Sequence, residues 1–173
     1  MSPQRRGVLA DPGNRPVERR NARDLALPEA LRPFGLYVPA VRTGSLVFLS
    51  GAGPVRPDGT IVTGRVGTGP GDMSPADARD AARLTGLRLL AALRAEIGDL
   101  DRVERVVKLL GFVRCAPEFT EQPAVIDGCS ELLVEVLGEA GHGARSAVGV
   151  AALPFGIPVE IEAVVQVRTE RTT

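Results

Sequence analysis

Aromatic side chains are scarce in this chain of 173 residues, which has five Phe, one Tyr and no Trp. The core therefore has to be built from Val, Leu, Ile and Ala, and the length suits one domain able to bury such a core. Lysine is scarcer still, because Lys108 is the only one among 21 basic residues. Acidic residues also number 21, so formal net charge is zero. That balance argues against a nucleic-acid protein held by a broad basic face. Histidine occurs once, at His142, and the two cysteines, Cys115 and Cys129, form no CxxC pair. A zinc site or disulfide framework is not expected, and a reduced, cytoplasmic compartment fits better. No apolar run approaches the roughly 20 residues that span a bilayer, and the N-terminus has no signal-peptide apolar region. The reading is of a soluble, cytoplasmic protein.

What is present divides the chain into an N-terminal extension over 1–32, a domain over 33–168 and a short tail over 169–173. The extension carries seven Arg, four acidic residues and four Pro without sustained periodicity. It reads as a mobile or loosely docked segment, or as an arm on a neighbouring subunit. A transit peptide is opposed by Asp11, Glu18 and Asp24. Two β-rich runs, 33–42 and 46–51, flank Thr43-Gly44-Ser45 and predict a hairpin. Residues 60–66 are a candidate further strand. The glycine-rich 67–73 lacks the Lys-Ser/Thr ending of a phosphate-binding loop and is taken as a connection.

Ser74-Pro75-Ala76-Asp77 signals a helix start, with Ser74 as the cap and Asp77 placed for a capping box. The helix is predicted to end before Gly98, with Ala78, Ala82, Leu89, Leu93 and Ile97 on its buried stripe and Arg79, Asp80, Arg83 and Arg94 in water. Residues 103–113 are the next strand, and within them 106–113 are apolar on both faces except at Lys108, as in a central strand covered on both sides. Pro123 fits the first turn of a second helix, which buries Val125, Cys129, Leu132, Leu133, Val136 and Leu137. Glycines end it, and His142 in that turn reads as a solvated loop residue. Residues 143–150 and 159–167 flank a Pro/Gly turn and predict an antiparallel hairpin. The sum is an α+β chain, β-β-(β)-α-β-α-β-β, with one mixed sheet and two helices on one face. The uncovered sheet face predicts self-association.

The same residues resemble the Rid/YjgF (reactive intermediate/imine deaminase) family, in a divergent branch, over about 35–167. The carriers are Gly35-Leu36-Tyr37-Val38, Leu49-Ser50-Gly51, Lys108 with Phe112-Val113, Ala144-Arg145-Ser146, Leu153-Pro154 and Val159-Glu160-Ile161-Glu162-Ala163. The resemblance implies a chorismate-mutase-like fold assembled as a homotrimer, with ligand clefts between subunits. It implies hydrolysis of 2-imino and 2-enamino acids to 2-oxo acids and ammonia, without metal or cofactor. The ligand would be a small carboxylate-bearing imine, enamine or oxo acid, with no nucleic acid and no membrane as partner. By the same resemblance Arg145 would grip the substrate carboxylate and Glu160 would position water. Tyr37, Ser50 and Gly51 would line the cleft, with Asp127 and Ala147 at further substrate-binding positions. Three residues depart from the family pattern: Ala52 replaces a common glutamine, Ala147 a frequent cysteine and Asp127 an asparagine.

The chemistry suits those residue types. Arginine offers a planar, permanently charged fork to a carboxylate, and a carboxylate beside a water is a general base. The imine is already electrophilic, so placing one water supplies much of the acceleration. Glu160 and Glu162 share a strand face, so either is a candidate for the functional acid. In the predicted hairpin Glu160 pairs near Ala151, which puts it roughly 20 Å from Arg145 along one chain. The two then share a cleft only if they come from different subunits. Alternatives are a non-catalytic trimer that binds a small carboxylate or a partner, motivated by the three departures, and RNA cleavage, which the neutral charge and sparse aromatics oppose.

Overall fold

A computed structural model describes residues 27–29 and 35–169. Most of the 1–32 extension and nearly all of the 169–173 tail lie outside these residues. The described chain forms five strands and two long helices: β1 (Ala40–Thr43), β2 (Leu46–Ala52), α1 (Pro75–Ile97), β3 (Val103–Arg114), α2 (Gln122–Leu137), β4 (Ala144–Val150) and β5 (Val159–Val167). The sheet order is β1-β2-β5-β3-β4, antiparallel throughout except for the parallel pair β3–β4. This is the expected α+β architecture of one mixed sheet.

The hairpin expected between β4 and β5 is not formed. Both strands pair with β3, which lies between them, and Glu160 sits opposite Phe112 rather than Ala151. The reason is α2: a helix joining β3 to β4 brings the chain back parallel, so β4 takes the outer edge. The Pro/Gly segment after β4 then wraps the end of β3. There the Arg114 amide donates to Pro158 O, Cys115 N to Val150 O, and the Arg114 guanidinium to Gly156 O. Residues 60–66 also form no strand. They contribute only isolated bridges, Val55–Ile61 and those of Val66 to Met73 and Cys115.

Helix α1 starts and stops where its chemistry dictates. Ser74 Oγ accepts from the Asp77 amide at 3.1 Å and donates to the Asp77 carboxylate at 2.6 Å, and Gly98 closes the other end at φ 83°. Both helices lie against one sheet face and bury Val159, Ile161, Ala163, Val165 and Val167 of β5 with Leu89, Leu93, Leu132 and Val136. Gly128 lets the helices touch, because a Cβ there would lie 2.1 Å from the Arg79 carbonyl oxygen. Arg79 and Arg83 keep much of their side chains in water, as expected, yet they are not free. They reach across to Glu131 and Glu135 of α2 at 2.5 and 2.6 Å. The close helix contact turns the flank of α1 toward α2 and offers a carboxylate to each guanidinium.

β3 is central in the sheet, yet only one of its faces is fully buried. Val106, Leu109 and Val113 point to the helices, whereas Lys108, Leu110 and Phe112 are half-buried on the other side. The double cover expected from the sequence is thus absent from the single chain. Phe48, Val41 and Val148 are exposed, and Val41 and Phe48 line a shallow recess with Lys108, Leu110, Glu162 and Val164.

Candidate active site

The expected site residues fall into two groups on opposite faces of the sheet. The first gathers where β2 ends. The β2–β5 register slips between Leu49 and Ala52, so Ser50 and Gly51 together face Glu162. Such a bulge bends the strand and re-aims its side chains. The Ser50 hydroxyl donates to the Val38 carbonyl at 2.7 Å and its amide donates to Pro39 O. These bonds fix the segment that carries Tyr37. Tyr37, Ser50, Gly51, Ala52 and Glu160 line one pocket of about 140 Å³, whose walls come from both layers because Arg88, Leu89 and Ala92 of α1 also line it.

Glu160 is half-buried there. Burial pushes its carboxyl above the ordinary glutamate value, and the neighbouring Glu162 charge pushes in the same direction. Gly51 makes room for it: a Cβ at 51 would lie 2.2 Å from Glu160 Oε1. Glu162, by contrast, is exposed and lies farther along β5, in the recess with Lys108. The geometry therefore separates the two acids, and Glu160 is the one beside Tyr37, Ser50 and Gly51.

Arg145 belongs to the second group. On edge strand β4 it pairs with Leu109, and its guanidinium turns to α2, where Nη1 meets Asp127 at 2.6 Å and the Ser130 hydroxyl at 3.0 Å. His142, exposed in its turn, lines a second recess together with Asp127, Ser130 and Arg145. Ala147 lies two residues along β4, opposite Gly111 and partly packed on the core. Cys129, one turn before Leu133 on α2, is buried, and its thiol is pushed up to about 12 by that burial, with Arg145 pulling the other way.

Arg145 and Glu160 are not brought together in one chain. Their partners on β3 are Leu109 and Phe112, two strand spacings and three residues apart, so the Cα atoms are separated by about 14 Å, with side chains on opposite faces. The expected 20 Å is corrected because it rested on the hairpin. Arg88 was not singled out from the sequence. Its signal was weak: it precedes Leu89 of the buried stripe and falls four residues before Ala92, at the stripe's border. Phe155 was also missed. It lines the same pocket from the β4–β5 connection, 62% exposed and with φ 57°. For a bulky side chain that left-handed backbone is an outlier of the kind that marks ligand-facing loops.

Among the described residues no helix is long and apolar enough to cross a membrane, and no group of three or more His, Cys, Asp or Glu gathers to hold a metal ion.

A family model described as "YjgF/chorismate mutase-like, putative endoribonuclease" matches residues 18–159. Protein TCP17 of Trypanosoma cruzi is 43% identical over 143 residues, covering 82% of this chain and 88% of the relative. A 2-iminobutanoate/2-iminopropanoate deaminase of Dermatophagoides farinae is 32% identical over 143 residues, covering 83% and 94%. The crystal structure of a protein of unknown function from Agrobacterium tumefaciens is 44% identical, with a TM-score of 0.76 over 84% of this chain and 88% of its own.

Proposed function

This chain belongs to the YjgF/Rid family, and from that premise we propose that it hydrolyses reactive 2-imino and 2-enamino acids to 2-oxo acids and ammonia. The observation that carries the proposal is Glu160, a half-buried carboxylate with a raised pKa in a small pocket beside Tyr37, Ser50 and Gly51. A carboxylate whose proton affinity is raised by burial is suited to take a proton from water and return it. Glu160 accepts a proton as water adds to C2 of the iminium. The resulting carbinolamine nitrogen takes that proton from Glu160, and the C–N bond breaks. The C2 hydroxyl gives its own proton to the freed Glu160 carboxylate as it becomes the carbonyl. The departing ammonia then takes this proton and leaves as ammonium.

Holding the substrate carboxylate is the part assigned to Arg145. Its place on the opposite sheet face supports a cleft shared between subunits, with Arg145 from one copy and Glu160 from another. The uncovered sheet face, with Val41, Phe48 and Val148 exposed, supports assembly of copies into a homotrimer. Asp127 and Ala147 then flank Arg145, and the soluble protein works in the cytoplasm without cofactor.

A specific contact favours a second reading. Asp127 already lies against Arg145, so the fork is partly neutralised, as in a non-catalytic protein that binds a carboxylate or a partner only weakly at that place. The deciding assay generates 2-iminobutanoate with an amino-acid oxidase while semicarbazide traps the imine. The hydrolase reading expects the protein to suppress semicarbazone formation and Arg145→Ala to lose that effect by tenfold or more. Unchanged semicarbazone yield on short and bulky imines, alongside saturable carboxylate binding, selects the second reading.

A further inference from the structure

Arg79, Arg83, Arg65 and Arg145 each meet a carboxylate of their own chain. Arg88 meets none among the described residues. Its guanidinium makes one long hydrogen bond, Nη1 to the Gly53 carbonyl at 3.3 Å. It is half-buried, and burial lowers its pKa, with the Tyr37 hydroxyl acting in the opposite direction. Arginine carries five N–H donors in a rigid fork, so most of this one is uncommitted. A cation taken partly out of water without a partner carries an uncompensated desolvation cost, which an anion entering the pocket offsets.

The position makes this specific. Arg88 lines the same pocket as Tyr37, Ser50 and Glu160, walled by apolar Leu89, Ala92, Ile157 and Phe155. The other charged groups lining it are Glu160 and Glu29, the latter exposed at its rim. Neither forms an ion pair with Arg88. We propose that Arg88 is a second anion subsite of this pocket, which selects 2-imino and 2-oxo acids whose side chain carries a second carboxylate. The inference rests on reading the pocket as a cleft for small carboxylate-bearing ligands. In that cleft Arg145 of one subunit takes the 1-carboxylate, Glu160 faces the reacting carbon and Arg88 takes the far end. Two carboxylates are met by two cations, and specificity follows because a monocarboxylate leaves Arg88 unpaired.

Calorimetry on the full chain tests this with 2-oxoglutarate and 2-oxobutanoate as probes. The wild type is expected to bind 2-oxoglutarate more tightly. Arg88→Met is expected to weaken 2-oxoglutarate by about tenfold or more and to change 2-oxobutanoate by less than about twofold. Arg88→Gln keeps a donor for the Gly53 carbonyl but not the charge, and the same selective loss is expected. Recovery of 2-oxoglutarate affinity in Arg88→Gln would make Arg88 a strut and overturn the subsite. Equal weakening of both ligands, no preference in the wild type, or no binding of 2-oxoglutarate would overturn it as well. The imine assay on the same proteins separates the two proposals. Arg88-dependent binding without hydrolysis sinks the hydrolase and keeps the subsite, whereas hydrolysis indifferent to a second carboxylate does the reverse.

Discussion

Arg145 and Arg88 are both half-buried arginines at the borders of apolar surface, and they stand in opposite conditions. Arg145 is held by Asp127 and Ser130 on α2, on the helix-covered side of the sheet. Arg88 shares its pocket with a carboxylate of raised pKa but hydrogen-bonds only a backbone carbonyl among the described residues. An incoming anion at Arg145 competes with a carboxylate already in place, while at Arg88 it completes an unmet charge. Motif and electrostatic need therefore point to different places. The block around Arg145 carries the family resemblance, and the pocket around Glu160 carries the perturbed chemistry.

The strongest way to break that contrast is Glu160→Gln. If the chemistry sits in the Tyr37–Glu160 pocket, imine hydrolysis falls by on the order of 10²–10⁴-fold. Activity retained within about twofold would move the reaction elsewhere. Stability should respond in the opposite sense. Because the folded carboxyl is raised above its ordinary value of 4.5, the folded state keeps a proton where the unfolded chain has released it. The contribution of Glu160 to folding stability is then fully present below that ordinary value and is lost as pH rises through the window up to the raised one. The glutamine variant has no such fall. Thermal melts should coincide with wild type at low pH and lie above it at neutral pH, and a neutral-pH melt at or below wild type contradicts the burial argument.

Gly51→Ala sharpens the same side of the comparison with a smaller effect. The new methyl would stand 2.2 Å from Glu160 Oε1 and 3.2 Å from its Cγ, so the acid has to swing away. The obstacle is a movable side chain, so the melting temperature should change little. A displaced base costs about tenfold or more in turnover, and the loss should appear in kcat rather than KM. A loss of stability without a loss of kcat would show that Glu160 was never aligned for chemistry.

Much of this was legible in the chain. Ser74-Pro75, Gly98 and Pro123 marked the helix ends because caps and breakers act locally, and the alternation of 159–167 marked β5 because a half-buried strand has period two. The partner of β5 was not legible. Pro154 and Gly156 give the same turn chemistry whether the flanking strands pair or a third strand lies between them, and β3 decides that from about 50 residues away. Tyr37, Ser50, Gly51 and Glu160 were readable as a set because the family pattern names them. Arg88 was not, since its distinction is the absence of an ion pair among the described residues, and no local pattern records an absence. Arg79 and Arg83 on the same helix show the point: equally charged and similarly spaced, they found Glu131 and Glu135.

The gentlest test works on the other arginine. Asp127→Asn keeps the shape and a hydrogen-bonding oxygen beside Arg145 but removes the negative charge. The Arg145 and Asp127 side chains are 25% and 41% exposed, so the ion pair is screened and its loss should cost about 1 kcal/mol or less, visible as a small drop in melting temperature. The gain falls on the ligand. With its fork released, Arg145 should bind 2-oxobutanoate a few-fold more tightly, and the increase should shrink in high salt. Arg88→Met should leave that gain intact if the two arginines serve different anions. Unchanged affinity in Asp127→Asn would mean that Asp127 does not compete with the ligand. Arg145 would then be a bracket between β4 and α2, and the pocket of Arg88 and Glu160 would have to hold the ligand unaided.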